Sequence, residues 1–201
     1  IRPYRRESEM KKLNLPTKIT VARLILIPFF VACYLVSFPY HELVATGLFI
    51  IASVTDWLDG HLARKYNQVT TLGKFLDPVA DKLLVCSALV LVCVIDNAFS
   101  IPVIVASIII ISRELVITCF RTIAATKNVI MAADKLGKIK TATQLFGLSF
   151  YLPYRTFAEL SPVLGEVLMY AGFVLLMVAT FFTVLSAVNY IVKNRGVLSD
   201  D

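Results

Sequence analysis

An all-α integral membrane protein, with six transmembrane helices and a short N-terminal interfacial segment, is the fold class predicted by three observations. Of the 201 residues, 58% are hydrophobic and 17% charged, where a soluble domain carries about a quarter charged. Apolar runs long enough to cross a hydrocarbon core recur six times along the chain. Lys and Arg gather in alternate connections between those runs, as membrane topology requires.

The elements follow in order. Residues 1–9 are polar and read as an expression remnant or a basic arm ahead of Met10. Asn14, Leu15, Pro16 and Thr17 form a helix entrance, with Asn or Thr as the cap and the following run lying along or entering the interface. Spans are expected at 20–37, 42–63, 73–95, 101–125, 140–154 and 164–192, the fifth being the shortest. The connections 37–41 and 96–100 are too short for a separate soluble domain, so residues 10–201 read as one membrane domain. Cys33, Cys86, Cys93 and Cys119 fall in apolar runs without a CxxC pair, which argues against a disulfide framework or a zinc site.

Orientation comes from the cations. Arg2, Arg5, Arg6, Lys11, Lys12 and Lys18 precede the first span; Arg64, Lys65 and Lys74 lie between the second and third. Lys127, Lys135 and Lys138 lie between the fourth and fifth, and Lys193 and Arg195 follow the sixth. Only Arg155 is basic on the other side. Both termini are therefore expected on the cytoplasmic face of the cell (inner) membrane. The net charge of +6 is a topology signal and an attraction for anionic lipid, and it gives no reason to invoke nucleic acid.

Within this apolar chain Asp56, Asp59, Asp77 and Asp81 lie in the run Asp56-x2-Asp59-Gly60-x2-Ala63-Arg64-x8-Gly73-x3-Asp77-x3-Asp81. An ionised carboxylate in a span costs about 3 kcal/mol or more unless it is paired or faces a wet interior. On two helices, spacings of i,i+3 and i,i+4 put each pair on one face. Two divalent cations, Mg²⁺ or Mn²⁺, are the simplest compensation, because hard oxygen donors select them over Zn²⁺. Capping or pairing with Arg64, Lys65, Lys74 and Lys82 is the bland alternative, but it does not call for four carboxylates at helical spacing. Gly60, Ala63 and Gly73 leave room for a bulky ligand beside them. On the expected topology the four lie about one to two turns below the inner surface, at headgroup depth.

These eight positions over 26 residues resemble, with no departure, the signature of the CDP-alcohol phosphatidyltransferase family. The resemblance implies a six-helix membrane enzyme, usually a homodimer, that moves a phosphatidyl group from CDP-diacylglycerol to an alcohol and releases CMP. It further implies that Asp56, Asp59, Asp77 and Asp81 bind metal, with Asp81 also the general base. Gly60, Ala63, Arg64 and Gly73 would shape the cytidine site with Asp56, Asp59 and Asp77 beside the pyrophosphate. Thr20 and Arg23 are similar to the family's Thr-x2-Arg in the first span.

The acceptor is read from cations. Arg113 lies near the middle of the fourth span, where a guanidinium is costly, and Arg121 follows eight residues on. Both are expected to point inward, and with Lys138 and Lys140 at the start of the fifth span they would form a phosphate pocket beside the aspartates. The alternative for Arg113 is an internal ion pair, and Lys138 or Lys140 taken singly is equally well a snorkelling cation. Glu114 is expected to be a poor direct partner for Arg113, since neighbours on a helix diverge by about 100°. Arg113-Glu114, Arg121 and Gly137-Lys138-Ile139-Lys140-Thr141 resemble the bacterial, phosphatidylglycerophosphate-forming branch of the family, whose acceptor is glycerol 3-phosphate. A sibling using inositol phosphate or serine and, from another class, a cation transporter are the competing readings. His41, His61, Tyr154 and Arg155 receive no functional role.

Overall fold

The computed structural model describes residues 15–65, 71–95, 97–126 and 135–193. Within the helices, the side chains at 15–17, 56–65, 71–75, 77, 123, 125, 126 and 135 lie outside the described residues, as does the segment 1–9. The described chain is all-α, in the order α1 (Leu15–Leu35), α2 (His41–Lys65), α3 (Thr71–Val92), α4 (Ser100–Thr126), α5 (Lys135–Tyr151), α6 (Tyr154–Leu160) and α7 (Pro162–Lys193). By length and composition, Lys18–Leu35, Ser100–Thr122 and Pro162–Lys193 are long and apolar enough to cross a membrane.

Each expected span has a helix, and the differences have physical causes. α1 begins at Leu15 and runs unbroken through Pro28 to Leu35, so the entrance segment and the first span are one helix. Proline is tolerated within such helices because neighbouring groups take up the freed carbonyl. α5 starts at Lys135, five residues before the apolar run, since a helix continues into the polar headgroup layer that hydropathy does not register.

The short helix α6 was not expected. Pro153 precedes it, and Ser161, extended before Pro162, ends it. No side chain from its own N-cap satisfies its first turn. Glu42, at the start of α2, does so instead: its Oε2 accepts from the Thr156 backbone N–H and from Thr156 Oγ1, both at 3.1 Å. The Arg155 Nε lies 3.9 Å from the other oxygen. The same end of the molecule is tied by Asn97, whose Nδ2 donates to the hydroxyls of Tyr151 and Tyr154 at 2.8 Å each.

The apolar core draws on all seven helices, with Phe30, Phe49, Leu89, Val103, Leu148, Tyr151 and Leu176 enclosed. α5 and α7 pack most closely, and glycine makes this possible. A Cβ on Gly172 would stand 2.8 Å from the Tyr151 backbone nitrogen and 3.0 Å from the Gly147 carbonyl. Both are backbone atoms of α5 and cannot rotate away, so small residues at the crossing set how near the helices come. Gly172→Ala is expected to cost about 1–3 kcal/mol of stability by forcing the helices apart. Denaturant unfolding of the purified protein checks this; an unchanged midpoint would show that the crossing gives way freely.

This packing positions chemistry. α5 and α7 run in opposite directions, so Lys138 to Gln144 at the start of α5 stand beside Thr183, Ser186 and Tyr190 near the end of α7. α4 also packs on α7, which brings Arg113 and Arg121 to the same region.

Candidate functional site

The aspartate motif occupies the end of α2 and the start of α3, joined by residues 66–70. Positions 56 and 59 are one turn apart on α2, as are 77 and 81 on α3. Asp56, Asp59, Gly60, Ala63, Arg64, Gly73 and Asp77 have their surroundings outside the described residues. Asp81 is described, and it stands exposed on a cavity wall with Pro78 and Lys82. No group of three or more His, Cys, Asp or Glu able to hold a metal occurs among the described residues, which include one of the four aspartates. The donor set itself, four carboxylates with no His or Cys at the motif's fixed positions, fits a hard divalent cation.

The cavity beside Asp81 has a volume of about 550 Å³ and reaches α3, α4, α5 and α7. Arg113 and Arg121 from α4 and Lys138 from α5 line it with Asp81. Four residues nominated from sequence on three separate helices thus share one space. Lys140 lines an adjoining recess with Asp81, Lys82, Glu114 and Gln144. Across the two spaces, Lys82, Arg113, Arg121, Lys138 and Lys140 face Asp81 and Glu114, an excess of positive charge suited to an anion.

The arginines are held. Arg113 Nη1 donates to Glu114 Oε1 at 3.0 Å, and its Nη2 donates to Ser186 Oγ at 2.9 Å. Arg121 Nε donates to the Tyr190 hydroxyl at 3.2 Å, with the guanidinium carbon 5.6 Å from that ring's centre. Lys140, buried at 4% exposure, places its ammonium 2.7 Å from Glu114 Oε1. Lys82 donates to Thr118 Oγ1.

The expectation that Glu114 partners Arg113 poorly is therefore corrected. The divergence of about 100° applies at the Cβ atoms. Both side chains are long enough to bend back, and Lys140 from the facing helix draws the Glu114 carboxylate to one side, where Arg113 also reaches it. Thr20 and Arg23 are buried at 1% and 2% exposure on α1, which packs against α2 and α3.

Sequence reasoning passed over Ser186 and Tyr190 because α7 reads as a uniformly apolar span. A signal was present: Thr183, Ser186 and Tyr190 are all buried and recur at helical spacing, a polar stripe in a hydrophobic helix. Here the stripe faces protein, Ser186 meeting Arg113 and Tyr190 meeting Arg121.

The chain matches the family model described as CDP-alcohol phosphatidyltransferase over residues 13–185. It is 44% identical to the CDP-diacylglycerol--glycerol-3-phosphate 3-phosphatidyltransferase of Bacillus subtilis (strain 168) over 193 residues, covering 90% of this chain and 95% of the relative. The enzyme of that name from Escherichia coli (strain K12) is 38% identical over 94% of this chain and 99% of its own length. A cardiolipin synthase (CMP-forming) of Oryza sativa subsp. japonica is 37% identical over 91% of this chain and 58% of its own length.

Proposed function

This chain belongs to the CDP-alcohol phosphatidyltransferase family, and from that membership we propose that it transfers the phosphatidyl group of CDP-diacylglycerol to glycerol 3-phosphate, forming phosphatidylglycerophosphate and CMP. The observation that carries the acceptor is the shared cavity, in which Arg113, Arg121 and Lys138 face the same space as Asp81. A phosphorylated acceptor brings the anionic group that such a cluster of cations binds, which glycerol, serine and inositol lack.

In the reaction, the acceptor's phosphate rests on Arg113, Arg121 and Lys138 while its free hydroxyl turns toward Asp81. The hydroxyl oxygen bonds to the lipid-side phosphorus, its proton passes to the Asp81 carboxylate, and the bond to CMP breaks with the electron pair leaving on CMP. Thr20, Asp56, Asp59, Gly60, Ala63, Arg64, Gly73 and Asp77 bind and orient the CDP-lipid. Family members generally depend on a divalent cation; two Mg²⁺ or Mn²⁺ ions held by Asp56, Asp59, Asp77 and Asp81 would neutralise the diphosphate and stabilise the leaving phosphate. Lys140, tied to Glu114, supports the acceptor pocket from its side.

The reading includes six membrane spans, α1 to α5 and α7, in the cell (inner) membrane, with both termini and the site on the cytoplasmic side. It also includes a single membrane domain and a homodimer.

The test is CMP release by the purified protein with CDP-diacylglycerol and a panel of acceptors: glycerol 3-phosphate, glycerol, serine, inositol and inositol phosphate. Glycerol 3-phosphate is expected to be the preferred acceptor; preference for any other would overturn the assignment. Kinetics then locate the pocket. Arg113→Ala, Arg121→Ala and Lys138→Ala are each expected to raise the KM for glycerol 3-phosphate by about 10- to 100-fold, the worth of a charge-assisted hydrogen bond, with the KM for CDP-lipid nearly unchanged. Tyr190→Phe, which frees the Arg121 guanidinium, should move the same constant by a smaller factor. Equal effects on both substrates would place these residues outside the acceptor pocket.

A further inference from the structure

The recess beside the main cavity holds a polar side chain that the reaction as described does not use. Gln144, on α5, is 1% exposed, and its Nε2 finds no hydrogen-bond partner among the described residues. The recess is lined by Gln144 together with Asp81, Lys82, Glu114, Lys140 and Thr141.

The neighbours around it are engaged. Lys140 and Arg113 share the Glu114 carboxylate. Lys82 donates to Thr118 Oγ1, and Thr141 Oγ1 donates to the Gly137 carbonyl at 3.0 Å. Of the residues lining this recess, Gln144 is the one with a buried side-chain donor that finds no partner among the described residues, as the Arg113 Nε does in the main cavity, and it opens on the same recess as the proposed base. A buried amide without a partner is destabilising, so its retention calls for a ligand group or ordered water to complete it.

The chemistry of that group follows from the pocket's layout, and it rests on the reading of glycerol 3-phosphate as acceptor. With the phosphate on Arg113, Arg121 and Lys138 and one hydroxyl at Asp81, the acceptor's second hydroxyl is the group still to be recognised. A hydroxyl both donates and accepts, as a carboxamide does, so the two are complementary. We propose that Gln144 is a specificity-determining residue that hydrogen-bonds the non-reacting secondary hydroxyl of the acceptor and so fixes which hydroxyl reaches Asp81. A site built to pair with a hydroxyl rejects the analogue lacking it, because the amide is then left unpaired.

The experiment compares glycerol 3-phosphate with 3-hydroxypropyl phosphate, which keeps the phosphate and the primary hydroxyl but lacks the secondary one. The wild type is expected to favour glycerol 3-phosphate in kcat/KM by on the order of 10- to 100-fold. Gln144→Met conserves volume and removes the hydrogen bond. It is expected to reduce that ratio to about threefold or less by losing rate with glycerol 3-phosphate, while turnover of the deoxy analogue and the KM for CDP-lipid stay close to wild type.

A folded Gln144→Met protein that keeps the wild-type ratio would overturn the inference and leave the glycerol 3-phosphate assignment standing. If that variant does not fold, the wild-type ratio decides: no preference between the two acceptors overturns the inference. A wild type that releases CMP with neither acceptor defeats the assignment itself, and the inference falls with it.

Discussion

Asp56→Asn, Asp59→Asn and Asp77→Asn are each expected to lower phosphatidyl transfer by about 100-fold or more, and chelation of divalent cations to abolish it. Asn preserves the shape of each side chain and removes its charge, so the comparison isolates electrostatics. The substrate brings a diphosphate to a place the motif fills with carboxylates, and those charges repel unless cations lie between them. Each variant should still insert in membranes and purify as a single species, because Asn keeps the size and shape of the side chain it replaces. The assay is CMP release after chelation and again after readdition of Mg²⁺ or Mn²⁺. Full activity in excess chelator would defeat the two-metal reading, whereas recovery with one of the two ions would identify the cation that serves.

The parts of this molecule that obey a one-dimensional rule were legible before folding. Hydropathy located a helix for each expected span, with ends within about five residues, since each long apolar run must satisfy its backbone internally and does so as a helix. The convergence of Asp81, Arg113, Arg121 and Lys138 was legible too: Asp81, Arg113 and Arg121 are charges within apolar runs, and Lys138 opens the next run at the same expected level. What escaped depends on partners far along the chain. α6 rests on a carboxylate from Glu42, 114 positions from Thr156, and no local periodicity announces that bond. Ser186 and Tyr190 matter only because α7 returns beside α4 and sets them against Arg113 and Arg121. The Arg113–Glu114 pair was misjudged from backbone angles alone, since Lys140 on another helix fixes where the carboxylate lies. Gln144 in sequence is an ordinary polar residue near a membrane surface; its burial is a property of the packed bundle.

Asp81→Asn should separate binding from chemistry. Asp81 lines one cavity with Arg113, Arg121 and Lys138, so of the four aspartates it is the one whose described surroundings suit the proposed role of base. Asp56, Asp59 and Asp77 remain in the variant and can still hold at least one cation, which predicts that CDP-lipid binding survives. Asn cannot take up the proton, and loss of a general base is expected to slow the chemical step by about 100-fold or more. Single-turnover CMP release at saturating glycerol 3-phosphate isolates that step from product release, while equilibrium binding of the CDP-lipid reports the ground state. A near wild-type single-turnover rate would remove Asp81 from the role of base. Loss of CDP-lipid binding with the rate would make it chiefly a metal ligand, and the proton would then have to leave by way of another group facing the cavity.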